Sequence, residues 1–244
     1  MAILTVTGEP GCRVEEIARL SAQRLDFQLV TDSYLRGLIA DEFGSEASLP
    51  EKAWPFVAMS ILAHVATEHP LVVCMEGAEL LFDDFPGLLR AHVTGVEARR
   101  IGMLMLEHRL ERPSAKTLLR QLEHQAAGMR KNRFGRSTVP LSRYDLVFGT
   151  GQLDSEHIAA LVSLAVESRG MLAEPLLSKT AEAQIQFRTR LRLAKFGIAA
   201  PGKVQLKRSV FANQSEEIFA NLLDFYRIGW EYEPKSFPIQ WDRE

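Results

Sequence analysis

The stretch Ala2-Ile3-Leu4-Thr5-Val6-Thr7-Gly8-Glu9-Pro10-Gly11-Cys12-Arg13 decides the fold. Its first six residues are apolar or β-branched, which predicts a short buried strand. Gly8, Pro10 and Gly11 then punctuate the chain. Beyond them Val14, Ile17, Ala18, Ser21, Ala22 and Leu25 recur at helical spacing, so one face of a helix packs inward. The opening unit is therefore strand, glycine turn, helix.

Working outward, the alternation continues. Phe27–Val30 reads as a second strand, Thr31-Asp32-Ser33 as a turn or cap, and Tyr34–Phe43 as a helix. A longer helix runs from about Pro50 to Glu68, with Trp54, Val57, Ile61, Leu62 and Val65 on its inner face. Leu71–Met75 is a continuous apolar run, the pattern of a strand buried on both faces. Leu88–Val93 reads as a weaker strand, followed by a helix from Val96 to Leu110 and another after Pro113, a favoured first-turn residue. Leu146–Phe148 is the next strand. Asp154 or Ser155 caps a helix whose expected inner face is Ile158, Leu161, Val162 and Ala165. Strands alternating with helices argue for an α/β domain around a parallel sheet. Its end is expected at Gly170–Pro175, followed by a basic helix from Ser178 to Phe196 and a linker at 199–202.

The bulk properties are those of a globular chain. Of 244 residues, 46% are hydrophobic and 25% charged, which excludes a wholly disordered protein. No apolar run reaches the length of a membrane span, and the N-terminus lacks the basic region of a secretory signal. Cys12 and Cys74 form no C-x-x-C pair, so a reducing, cytoplasmic setting without a structural disulfide is expected. The net charge of −2 hides segregation. Residues 99–143 hold 11 Lys/Arg against 3 Glu, and residues 178–208 hold 8 Lys/Arg against Glu182. Two basic segments in an otherwise acidic chain point to anion binding, to phosphates or nucleic acid, or else to solvated helix faces.

Chemistry concentrates at the first turn. Glycines between a first strand and a first helix let backbone N–H groups close on a phosphate at the helix N-terminus. A full P-loop (Walker A) reads G-x-x-x-x-G-K-[ST]. Counted from Gly8, its later diagnostic positions hold Arg13, Val14 and Glu15, so the motif is degenerate. Arg13 offers a planar cation in place of the lysine. Glu9, Glu15 and Glu16 would repel a triphosphate unless Mg²⁺ lay between. A tight turn that binds nothing has the same spacing. The basic segment supplies Arg99, Arg120, Arg130, Arg133 and Arg136, the cations that phosphoryl transfer needs around its non-bridging oxygens. The same residues would also track a nucleic-acid backbone. The six histidines show no ligand spacing, no Ser lies in a G-x-S-x-G elbow, and Met103 and Met105 read as core filling.

From Met1 to about Arg169 the chain resembles the cytidylate-kinase-like proteins of the P-loop nucleoside monophosphate kinase group. The carrying stretches are Ala2–Leu25, Val72–Gly77 and Arg143-Tyr144-Asp145-Leu146-Val147-Phe148-Gly149-Thr150-Gly151-Gln152-Leu153-Asp154. Gly149 stands where the family usually has Asn, and Pro10-Gly11-Cys12-Arg13 where relatives have Gly-Ser-Gly-Gly-Arg. The resemblance implies a three-layer P-loop NTPase-like α/β fold with a parallel sheet, here followed by a C-terminal helical extension. It implies ATP with Mg²⁺ at Gly8, Gly11, Cys12 and Arg13, and a monophosphate acceptor near Asp32 and Arg99. Arg120, Arg130, Arg133 and Arg136 would belong to a closing lid. An active protein of this kind would be an ATP-dependent nucleoside monophosphate kinase, and a domain that keeps the fold without transfer is the alternative.

The expected organisation is a kinase-like domain at 1–170, a basic connecting helix and linker at 171–203, and a tail at 204–244. The tail, from Phe211 to Tyr226 and then Trp230 to Pro234, resembles the opening of a restriction-like nuclease domain, with Glu216 or Glu217 as the first-helix carboxylate. The later metal-binding core is missing. Hence the second functional expectation is a regulatory module that binds nucleic acid through residues 178–208 for a nuclease partner. A scaffold that forms a homo-oligomer through its tail is the third.

Overall fold

The opening strand, β1 (Ile3–Gly8), lies at the centre of a five-stranded sheet of order β2-β3-β1-β4-β5 in this computed structural model. Residues 2–43, 49–82, 87–198 and Phe219 are described. The other strands are β2 (Gln28–Thr31), β3 (Leu71–Cys74), β4 (Leu88–Thr94) and β5 (Leu146–Gly149), and every pairing is parallel. Ile3, Leu4 and Val6 have no exposed surface. That is why β1 reads as a continuous apolar run rather than an alternating one.

Helices cover both faces, which makes the three layers. On one face α1 (Val14–Leu25) and α6 (Ser155–Ser168) pack over Leu4, Val6, Val72 and Val93. On the other, α2 (Asp32–Phe43) and α3 (Trp54–Val65) pack over Ile3, Val30, Leu71 and Val73. A helical hairpin, α4 (Glu97–His108) and α5 (Arg112–Phe134), closes on a small core of Ile101, Leu104, Ala115 and Leu119. Asp154 is the N-cap of α6, its side chain accepting from the His157 amide at 2.8 Å. The inner face of α6 differs from the expected one. Leu161 is exposed, and Ala159 and Val166 are buried beside Ile158 and Val162. Met103 and Met105 are only half-buried.

The strand expected to be weak, β4, is the longest and is paired on both sides. Its polar residues find partners. His92 lies 3.2 Å from the Thr7 hydroxyl and stacks on Tyr144 at 4.4 Å, and Arg90 Nε donates to the Glu79 carbonyl at 3.3 Å.

The basic helix α7 (Lys179–Ala194) is seated on α3 rather than spanning open solvent. Leu177 and Leu193 enter the main core. Ser60 Oγ donates to Gln186 Oε1 at 2.6 Å, Gln186 Nε2 returns a bond to the Ser60 carbonyl at 2.8 Å, and His64 pairs with Glu182 at 3.0 Å. The first compact unit accordingly runs through Ala199, and residues 200–244 form a second one. The expected nuclease-like helix and strand at 211–233 lie outside the described residues, apart from Phe219, which is helical. Among the described residues, no helix is long and apolar enough to cross a membrane.

Candidate phosphate-binding site

In an open parallel sheet, ligands bind beyond the carboxyl ends of the strands where neighbouring connections diverge. Here that point lies between β1, whose connection runs toward β2, and β4, whose connection runs toward β5. The loop Gly8–Arg13 lies there, facing Thr94 and Gly95.

Two glycines fit the loop for steric reasons. A Cβ on Gly8 would stand 2.5 Å from the Val93 carbonyl oxygen and 2.7 Å from Val14. Gly11 has φ +82°, and a Cβ there would meet the Arg100 carbonyl oxygen at 2.8 Å. The turn closes through the Cys12 amide on the Glu9 carbonyl at 3.1 Å, and the Glu9 amide joins the Val93 carbonyl at 2.9 Å. Arg13 takes the left-handed conformation, φ 54°, and no side chain caps α1. The first four amides of a helix have no intrahelical acceptor, so this end presents donors and the positive pole of the helix dipole. A cavity of about 640 Å³ opens on them, lined by residues 8–16 and by Arg19, Leu104, Glu107, His108 and Leu122.

Two of the acids beside the loop, Glu9 and Glu16, are held by specific partners. Glu9 reaches to the end of β4, accepting from Thr94 Oγ1 at 2.8 Å, the Gly95 amide at 2.9 Å and Arg100 Nη1 at 3.2 Å. Burial pushes the Glu9 carboxyl up, but the Gly95 amide, the Thr94 hydroxyl and Arg100 together outweigh it and hold it below its ordinary value. Arg100 also donates to the Pro10 carbonyl at 3.0 Å and pairs with Glu123 of α5, so one buried guanidinium ties the loop to α4 and α5. Arg13 pairs with Glu16 at 2.8 Å, and Ser155 donates to the same carboxylate at 2.9 Å.

A depressed carboxyl stabilises the fold above its unfolded pKa, and that contribution disappears as pH falls through the folded value. Urea unfolding of the wild type and Glu9→Gln is expected to separate them by about 1 kcal/mol at neutral pH, because solvent screens a partly exposed group. The gap is expected to close below the ordinary value of 4.5. A gap that persists or widens in acid would contradict this role for Glu9.

The expected site residues divide into three groups. Gly8, Gly11 and Arg13 meet at the cavity, while Cys12 contributes backbone only. Its side chain is 3% exposed, and burial pushes the thiol up to about 11, so it is no thiolate nucleophile at neutral pH. Arg99 does not line this cavity and donates to the Gly151 carbonyl at 2.5 Å. Arg130 and Arg133 sit beyond β3 with acidic partners. Arg130 pairs with Glu76, and Arg133 pairs with Glu51 at 2.8 Å and stacks 3.9 Å from the Trp54 ring centre. Phe134 meets Trp54 edge-on at 6.4 Å and would collide with any Cβ on Gly77. The end of α5 thus rests on the end of β3. Arg120 and Arg136 are exposed and outside this cluster. Asp32, the first residue of α2, pairs with Arg36 at 2.6 Å and lines neither large cavity.

The motif reading named Glu9 only as an acid that would repel phosphate and left Arg100 out of the site, so the pair's anchoring of the loop is what it missed. Arg100 shares the inward helical face of Leu104, four positions on. Periodicity therefore separates it from exposed Arg99.

The chain is thus a three-layer α/β protein with a parallel sheet and a glycine turn at its divergence point, ahead of an uncapped first helix. An uncharacterised protein from Eubacterium ventriosum superposes with a TM-score of 0.59 at 16% identity, over 69% of this chain and 99% of that one. A gluconokinase from Sinorhizobium meliloti 1021 gives 0.45 at 15% identity over 70% and 94%, and a shikimate kinase from Bacteroides thetaiotaomicron gives 0.41 at 14% over 69% and 98%. At 16% identity the first of these likenesses is one of fold alone. No family model matches the sequence, and no curated protein matches it.

Proposed function

We propose that the Gly8–Arg13 loop binds a nucleotide through its phosphates, and that the chain is a kinase-like module with incomplete transfer machinery. The observation that carries this reading is the open cavity of about 640 Å³ at the uncapped start of α1. Amides and a helix dipole suffice to hold an anion. Arg13 adds a cation, and its pair with Glu16 is a half-exposed one of the kind worth at most about 1 kcal/mol. A phosphate can compete for it.

The residues present fit a phosphate better than a magnesium nucleotide. Val14 stands where a lysine would reach the terminal phosphates, and Glu15 where a hydroxyl would hold the metal. Arg130 and Arg133 would have to leave Glu76 and Glu51 before clamping a transferred group. The finer reading, ATP- and Mg²⁺-dependent transfer to a nucleoside monophosphate in the manner of a cytidylate kinase, rests on the resemblance of Met1–Arg169. In it Asp32 and Arg99 serve the acceptor side. The nucleic-acid reading of residues 178–208 rests on Lys179, Arg188, Arg192 and Lys195, all exposed on or beside α7.

Thermal unfolding and calorimetry with ATP, with and without Mg²⁺, test the binding claim, and a coupled assay with each monophosphate tests transfer. The expected result is concentration-dependent stabilisation by ATP, little of it requiring Mg²⁺. Turnover is expected at least a thousandfold below the roughly 1–100 s⁻¹ of working kinases. No stabilisation at millimolar ATP removes the nucleotide reading, and turnover within that range removes the claim of incomplete machinery.

A further inference from the structure

A second cavity, of about 1100 Å³, lies between α3, the end of α5 and α7. It shares no lining residue with the loop cavity. One wall is built by the helical extension, beyond the part of the chain that resembles a kinase. Phe56, Met59, Phe134 and Ile185 make much of the surface, so the interior is apolar. Among the described residues its charged lining is Arg133, Arg188 and Arg192, with no Asp or Glu.

The three arginines differ in setting. Arg133 is 6% exposed at its side chain and held by Glu51, while its Nη1 has no hydrogen-bond partner among the described residues. Arg188 and Arg192 are exposed, and no acidic partner is recorded for either among the described residues. Arg192 lies 5.9 Å from the Phe56 ring centre, within cation–π reach, which places it at the rim. The arrangement is also directional. Along α7 the lining runs from Ala181 to Arg192, about 16 Å at the helical rise. The Ala181 end, with Leu176, Leu177 and the uncharged polar Ser178 and Gln184, carries no charged side chain, whereas the other end carries both exposed cations.

We infer that this cavity binds an elongated amphipathic anion, an aliphatic chain ending in a carboxylate. The chain would lie along Met59, Ile185 and Leu177, and the carboxylate would accept from Arg188 and Arg192. An apolar trough explains the chain, because burying methylenes is favourable in proportion to area. Unopposed guanidinium groups at one end explain the charge and the orientation. A neutral hydrophobe would leave both cations unused, and a nucleotide would place its polar base against hydrocarbon.

The test is calorimetry on the full-length chain with decanoate, decanol and inorganic phosphate as probes. Decanoate is expected to bind about tenfold more tightly than decanol, the scale of a charged hydrogen bond, and phosphate not at all in this cavity. Arg188→Gln with Arg192→Gln changes only exposed residues of α7. It is expected to abolish the preference for decanoate and to leave ATP binding at the loop unchanged. Met59→Trp, which fills the trough, is expected to weaken both chain ligands. Equal binding of decanol and decanoate would overturn the proposal, as would a double variant that still prefers decanoate or a decanoate signal displaced by ATP. So would a chain that ignores decanoate yet binds duplex DNA in a salt-sensitive, Arg188- and Arg192-dependent way. Because ATP is titrated separately, failure here is distinguishable from failure of the nucleotide reading.

Discussion

Replacing Arg100 with methionine is expected to destabilise the fold by about 3 kcal/mol and to weaken nucleotide binding more than tenfold. Arg100 is 6% exposed and bonds three groups from different elements, the Glu9 carboxylate, the Pro10 carbonyl and the Glu123 carboxylate. Removing one member of a buried ionic network typically costs about 3–5 kcal/mol, because its partners keep their desolvation without their attraction. Glu9 and Glu123 retain access to water, which places the expected value at the lower end. The binding loss has a separate cause. The Arg100 guanidinium holds the loop through the Pro10 carbonyl and the Glu9 carboxylate, so without it the amides at the start of α1 lose their fixed aim. Lysine at this position is expected to recover less than half of the loss, since a single ammonium nitrogen cannot reach the separate acceptors that Nε, Nη1 and Nη2 of the planar guanidinium meet. Urea unfolding and ATP calorimetry on both variants check this. A change below about 1 kcal/mol in Arg100→Met would show that the network is not structural.

Gly8→Ala and Gly11→Ala are expected to lose about 2–4 kcal/mol each, within the range of overpacking and backbone conflict. At Gly8 the added methyl meets the backbone oxygen of Val93 at 2.5 Å, so the pairing of β1 with β4 must open. At Gly11 two effects add. The left-handed backbone disfavours a Cβ by about 1–2 kcal/mol, and that Cβ faces the Arg100 carbonyl at 2.8 Å. Gly102→Ala in α4 is the control. Nothing lies within 4 Å of its Cβ, so helix propensity alone acts and a gain of up to about 1 kcal/mol is expected. Chemical denaturation of the three variants checks the order. Loop variants as stable as the wild type would mean that the turn yields freely.

How much of this was legible in the sequence depended on range. The unit from Ala2 to Leu25 was readable because an apolar β-branched run, a Gly-Pro-Gly turn and a 3.6-residue period follow one another within two dozen residues. The strand β4 read as weak because Arg90 and His92 interrupt its apolar run, and their partners Glu79, Thr7 and Tyr144 come from other parts of the chain. The counter-ions of Arg130 and Arg133 on α5 were hidden for the same reason. Glu76 and Glu51 lie 54 and 82 positions from Arg130 and Arg133, and no local pattern pairs them. The docking of α7 did leave a trace. Trp54, Val57, Ala58, Ile61, Leu62 and Ala63 are all buried, more than one helical face can hold, so α3 required a second partner besides the sheet. The basic residues of α7 drew attention to its solvent side and away from Leu193.

The central claim is that the amides at the start of α1 hold a nucleotide's phosphates without a lysine. A crystal structure of the full-length chain grown with ATP tests it most directly. The expected result is phosphate density within hydrogen-bond reach of the Arg13–Glu16 amides, with Arg13 turned from Glu16 toward it. Density elsewhere with a bare loop, or no bound nucleotide at saturating concentration, would contradict it.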